Sequence, residues 1–294
     1  MKAKLVFTIL ALPLFGATSL ASPSSQPPAP QVSNTVLTTI GDSITWGGNA
    51  SDRAKTSYGA VLAKALGARS WTNLGIIGES LIPEPNSFFL GHTSNDKRYS
   101  PMIGLLDAEV PRIPRTTTIV TIYIGTNDLW MAEQTLKPNL SNIATMRHTF
   151  DDVARDWRRD MHDLIDAVRT RAPRATIVVG TVINPADKGS ITHLNFEPYL
   201  TYRLALTALV NSMNRSIVSQ NVIVADLNCD PRLYDITNYT TPNDVHPTDR
   251  GHAAIAEDFL RAMNGESGKR DCAYEHVFAS PAPLATPSAS PSPS

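Results

Sequence analysis

The sequence predicts an α/β protein: a parallel β-sheet covered by helices on both faces, with its chemistry at one edge of the sheet. Three observations predict it. Short β-branched runs alternate along the chain with helical patterns. Those runs are nearly continuous in apolar character, as strands buried on both faces are. The residues able to do chemistry, first among them Gly41-Asp42-Ser43, stand directly behind such runs. That is the carboxyl edge, where α/β enzymes bind their ligands.

The elements follow in order. Residues 36–40 form the first strand and hand the chain to Ser43. Residues 58–66 read as a short helix stopped by Gly67. Residues 70–74 and 117–124 read as buried strands, the second leading into Gly125-Thr126-Asn127-Asp128. The clearest helix spans about 141–172 and ends before Pro173. In it Met146, Phe150, Val153, Trp157, Met161, Leu164 and Val168 recur at steps of three and four. The charges between them, including Arg158-Arg159-Asp160, read as its solvated face rather than a binding patch. A strand over 176–180 follows, then a helix carrying Tyr199, Tyr202, Leu206, Val210, Met213 and Ile217, then a strand over 222–225. The closing helix opens at Thr248, buries Ala256, Phe259, Leu260 and Met263, and stops near Gly265.

The chain has 294 residues, with 26 Lys+Arg against 27 Asp+Glu. So even a balance gives no electrostatic reason to expect nucleic acid or an acidic membrane surface as a partner. Residues 1–21 have a basic head, an apolar run and a small-residue cleavage site, and read as a secretory signal peptide cut after Ala21. Pro13 and Gly16 within the run argue against an uncleaved anchor. The mature chain then carries no transmembrane segment, and the protein is expected outside the cytoplasm, extracellular or periplasmic. Residues 22–33 are a Pro/Ser-rich leader, 34–278 the folded body, and 279–294 a Pro/Ser/Ala tail too poor in apolar surface to offset its ordering entropy. In an exported protein the two cysteines, Cys229 and Cys272, are expected to bridge. Such a bridge closes a loop of about forty residues, worth about 3–4 kcal/mol on the chain-entropy model.

Four blocks resemble the SGNH hydrolases, the GDSL esterase/lipase family. They are Gly41-Asp42-Ser43-Ile44-Thr45-Trp46-Gly47, Asn73-Leu74-Gly75-Ile76-Ile77-Gly78, Gly125-Thr126-Asn127-Asp128, and Val245-His246-Pro247 running into Gly251-His252. Any one of these strings arises by chance; four in order, each after a strand or opening a helix, do not. The resemblance implies a three-layer α/β/α sandwich on a five-stranded parallel, flavodoxin-like sheet. It also implies hydrolysis through an acyl-serine intermediate, with neither metal nor cofactor. Position by position, it makes Ser43 the nucleophile and His246 the base. The backbone N–H of Ser43, Gly78 and Asn127 become the oxyanion donors.

The chemistry needs these residue types. A serine hydroxyl is a weak nucleophile until a neighbour takes its proton, and imidazole, which titrates near neutrality when unperturbed, can take and return one. Glycine lets a backbone N–H approach the developing oxyanion, and asparagine offers an amide N–H without charge. Asp42 and Asp128 read as loop-holding carboxylates. His252, in the first turn of the last helix, reads as a packing or capping residue.

One position departs from the family. Its acid lies three residues before the histidine, and here that residue is Asn243, with Asp244 as the nearest carboxylate. Asp244 can orient the imidazole if the loop is shifted by one; Asn243 can do so through its amide oxygen; or a backbone carbonyl can, leaving a dyad. The apolar, proline-broken stretch 79–90, with Trp46 and Trp130, suggests a platform for an acyl or sugar group. Short-chain esters, acyl lipids and acetylated polysaccharides all remain open. Export and the two tryptophans tilt the expectation toward acetylated carbohydrate. The rival readings are a lipase or lysophospholipase acting on acyl lipids, and a non-catalytic carbohydrate-binding or adhesive module.

Overall fold

The computed structural model describes residues 34–81, 104–129, 132, 142–183, 197–217, 221–234 and 245–266. The expected signal segment, leader and tail lie outside them. Five strands form one parallel sheet: β1 (Val36–Gly41), β2 (Ser70–Asn73), β3 (Ile119–Tyr123), β4 (Thr176–Gly180) and β5 (Ile223–Ala225). Their spatial order is β2-β1-β3-β4-β5. Leu37 pairs with Trp71 on one side and Ile119 on the other, and Gly41 lies opposite Tyr123. The order reverses between β1 and β3, and a crevice opens at such a switch point beyond the carboxyl ends of the strands.

Side chains that alternate along each strand divide two hydrophobic layers. On one face Ile40, Val120, Ile122, Ile177, Val179 and Val224 meet two helices, α5 (Ile143–Arg171) and α6 (Glu197–Ser216). Trp157, Met161, Leu164 and Val168 of α5 and Leu206, Val210 and Met213 of α6 are buried there, the stripe the periodicity predicted. On the other face Leu37, Tyr123, Val178 and Ala225 meet α3 (Tyr58–Ala65) and α7 (Asp249–Met263). Each aliphatic side chain buried in these layers is worth about 1.5–3 kcal/mol. The result is the α/β/α sandwich with a five-stranded parallel sheet. Shorter helices, α1 (Ser43–Trp46), α2 (Arg53–Thr56) and α4 (Leu105–Ala108), lie in the connections.

Three expectations need correction. β2 is not a buried strand: Ser70 is exposed and Trp71 to Asn73 are half-buried, because the sheet order leaves β2 at an edge. In α7 the fully buried apolar stripe is Ala254, Ile255, Ala256, Phe259 and Ala262, while Leu260 and Met263 pack at its margin. The Cys229–Cys272 bridge, with the stability assigned to it, is not shown by the described residues. The described residues contain no pair of cysteines at disulfide distance, and Cys272 lies outside them. The charged face of α5 is as expected. Arg155 and Arg159 reach Asp152, Asp156 and Asp160 at 2.6–3.1 Å in exposed pairs, each worth only tenths of a kcal/mol.

Candidate functional site

The nucleophile block is built by a forced backbone turn. Gly41 has φ 141°, and a Cβ there would lie 1.8 Å from the carbonyl oxygen of Tyr123. Only glycine permits β1 to end so close to β3. Asp42 then caps α1, its Oδ1 accepting from the Ile44 N–H at 2.9 Å. Ser43 is thereby the first residue of a helical turn at the switch point. Its Oγ stands 2.7 Å from Nε2 of His246, 203 residues later in the chain.

The other blocks are stitched to this turn. Asn73 Nδ2 donates to the Thr45 carbonyl at 2.8 Å, and its Oδ1 accepts from Gly75 N–H at 2.9 Å. Gly75 packs so closely on α1 that a Cβ would come 2.4 Å from the Trp46 nitrogen. Gly78 follows with φ 79°. Asn127 Nδ2 donates to the Glu79 carbonyl at 2.7 Å, and Leu81 N–H donates to Asp128 Oδ2 at 3.1 Å. The first of these bonds fixes the amide plane of Asn127 with one of its two N–H groups, leaving the second as a donor. Ser43 and His246 therefore meet directly, and the loop of Gly78 is joined to Asn127 through Glu79. Asn243, Asp244, Trp130 and residues 82–90 lie outside the described residues.

Beneath the site lies a set of buried acids, of which Glu79 and Glu109 belong to none of the four sequence blocks. Asp42 and Glu109 are fully buried and Glu79 is 1% exposed. Glu109 Oε2 accepts from Gly41 N–H at 2.8 Å, across 68 residues of chain. Burial first, then the neighbouring carboxylates Asp128 and Asp42, push Glu79 up to about 8. Burial likewise holds Glu109 well above the ordinary range, offset in part by the Gly41 bond. Burial raises Asp42 to about 6 against the pull of the Ile44 bond and of His246. At neutral pH Glu79 is thus largely a neutral acid, while Asp42 is largely ionised. His252 is also fully buried, and burial drives its imidazole down to about 4. Its burial agrees with the packing half of the packing-or-capping expectation for the string Gly251-His252. Among the described residues no helix is long and apolar enough to cross a membrane.

The model of the GDSL-like Lipase/Acylhydrolase family matches residues 39–254. Several solved structures are similar. One is a phospholipase A1 from Streptomyces albidoflavus NA297, 19% identical over 79% of this chain and 99% of that one, with a TM-score of 0.53. A second is an extracellular lipase from Streptomyces rimosus, 17% identical over 79% and 100%, with a TM-score of 0.53. A third is the lipase Lip_vut3 from a goat rumen metagenome, 15% identical over 78% and 97%, with a TM-score of 0.51. At these identities the likeness is one of fold. Comparison with curated proteins finds no match.

Proposed function

The chain belongs to the GDSL-like lipase/acylhydrolase family, a family of carboxylic ester hydrolases, and on that premise we propose that Ser43 and His246 hydrolyse acyl-lipid esters through an acyl-serine intermediate. The observation that carries the reading is the 2.7 Å approach of Ser43 Oγ to His246 Nε2 at the sheet's switch point. In the first half-reaction Oγ attacks the ester carbonyl carbon as its proton passes to Nε2. The carbonyl oxygen becomes an anion, held by the N–H groups of Ser43, Gly78 and Asn127. Collapse breaks the bond to the leaving alcohol, which takes the proton from Nε2. Water then attacks the acyl-serine with its proton passing to Nε2, and the carboxylic acid departs as Ser43 recovers its proton.

With Nε2 facing serine, the neutral imidazole carries its hydrogen on Nδ1, which needs an acceptor. We assign Asp244 to it, with Asn243 and a backbone carbonyl as the competing choices. The similar solved structures are by name a phospholipase and two lipases, which favours acyl lipids over the acetylated carbohydrate toward which the sequence tilted. The basic-apolar start of the chain supports export. The test is labelling of Ser43 by a fluorophosphonate, together with turnover of a lysophospholipid, p-nitrophenyl butyrate and acetylated xylan. Labelling lost in Ser43→Ala and turnover of the acyl esters are expected. Folded protein that takes no label overturns the reading, and xylan as the preferred substrate overturns its lipid half. Of Asp244→Ala and Asn243→Ala, the first is expected to lose more turnover.

A further inference from the structure

We propose that His252 is a positioning residue for the reaction: acting through Gly48, it braces the imidazole of His246 against the turn that carries the nucleophile. The proposal rests on the reading of His246 as the base.

Gly48 is the point of contact. Its N–H donates to the Ser43 carbonyl at 2.9 Å, so it belongs to the turn that ends α1. A Cβ at Gly48 would lie 2.4 Å from Cδ2 and 2.9 Å from Cγ of His246. The backbone at 48 is therefore pressed against the imidazole, and where that backbone sits decides where the ring sits. Asn49, next in the chain, donates from Nδ2 to the His246 carbonyl at 3.2 Å. The turn that presents the nucleophile thus holds the base by its ring and by its main chain.

His252 fixes this turn from behind. Its Nε2 lies 2.9 Å from the Gly48 carbonyl, and its Nδ1 accepts from Tyr58 N–H at 3.3 Å. A carbonyl can only accept and an N–H can only donate, so both bonds form only when the ring is neutral with its hydrogen on Nε2. Complete burial and the depressed titration agree with that form; of the charged neighbours, Asp249 favours protonation and His246 opposes it. Asp249, three residues before His252, extends the brace by accepting from Ser51 N–H at 2.8 Å and Thr56 Oγ1 at 2.7 Å. One turn of α7 therefore grips the segment 48–56 at three places.

Small displacements of a reacting group cost rate steeply, about a hundredfold for 1 Å. Three variants at one position separate positioning from packing. His252→Gln retains an N–H able to reach the Gly48 carbonyl. His252→Asn retains an acceptor for Tyr58 N–H but falls short of Gly48. His252→Ala retains neither. On p-nitrophenyl butyrate we expect kcat to fall about 10- to 100-fold in the Ala and Asn variants with KM changed less than about twofold, and Gln to return within about fivefold of wild type. A residue that only packs would make Gln and Asn equivalent, and that result, or wild-type kcat in His252→Ala, overturns the proposal. Should the variants not fold, nitrogen NMR of the wild-type imidazoles decides: a neutral His252 with its hydrogen on Nε2 supports the brace, and hydrogen on Nδ1 overturns it, because then neither the Gly48 nor the Tyr58 bond forms. Ser43→Ala is the control: activity there sinks the underlying reading instead.

Discussion

Glu79→Gln isolates the energetic cost of the acid buried beside the proposed oxyanion donors. Glu79 is 1% exposed, and its carboxyl is held up to about 8 chiefly by burial. In the unfolded chain it returns to the ordinary value of 4.5. A raised acid keeps its proton in the folded state over the range in which the unfolded state has lost it. Its contribution is therefore fully present below about 4.5 and is lost as pH rises through about 8. The full displacement is worth on the order of 5 kcal/mol, a large part of the stability of any domain. Glutamine has the same shape and no charge to bury, so the variant should lose this slope. Urea unfolding at pH 5, 6, 7, 8 and 9 measures it. Wild type should weaken steadily across the series, and Glu79→Gln should weaken less, becoming the more stable of the two at pH 9 by several kcal/mol. Parallel curves would refute the reasoning, because they would mean Glu79 ionises in the native protein as readily as in the unfolded one.

Three further outcomes follow from named contacts. Gly41→Ala places a methyl 1.8 Å from the Tyr123 carbonyl at φ 141°, and calorimetry should show a loss of about 3–5 kcal/mol. Asn127→Ala removes a proposed oxyanion donor and should lower kcat about 10²- to 10³-fold with KM little changed, in steady-state assays. Asn211 bonds both the N–H and the carbonyl of Val182, at 2.7 and 3.0 Å, where the chain leaves β4; Asn211→Ala orphans both and should cost about 2–4 kcal/mol in urea unfolding while the folded protein keeps its kcat.

Much of the architecture was legible because it rests on periodicity. The α5 stripe from Trp157 to Val168 and the apolar runs of β1, β3, β4 and β5 are local patterns, and burial follows from them directly. The pairing of Ser43 with His246 was legible for a different reason, through blocks whose order is characteristic of a family. What escaped depends on contacts that no local pattern encodes. β2 has the composition of a buried strand, and only its place in the sheet order makes it an edge. Glu109 stands in an ordinary helix-end stretch, and nothing local announces that its carboxyl reaches Gly41 N–H. His252 reads as a packing or capping residue because position in a helix is visible in sequence, whereas a bond from its ring to the Gly48 carbonyl is not.

The same distinction makes assembly of the site a report on global folding. Ser43 depends on β1 ending against β3, through the Asp42 N–H bond to the Tyr123 carbonyl at 3.2 Å. His246 depends on α7, whose Phe259 stacks on Tyr58 of α3 with ring centroids 5.3 Å apart. The two are 203 residues apart, and the contacts that join them run through both α3 and the sheet. No stretch of chain between them can hold the pair unless the rest is folded. Fluorophosphonate labelling and tryptophan fluorescence should therefore be lost at the same urea concentration, in one cooperative transition. Labelling lost well before fluorescence would show that the base segment opens independently of the sheet. The grip of Asp249 and His252 on residues 48–56 would then be too weak to set the imidazole.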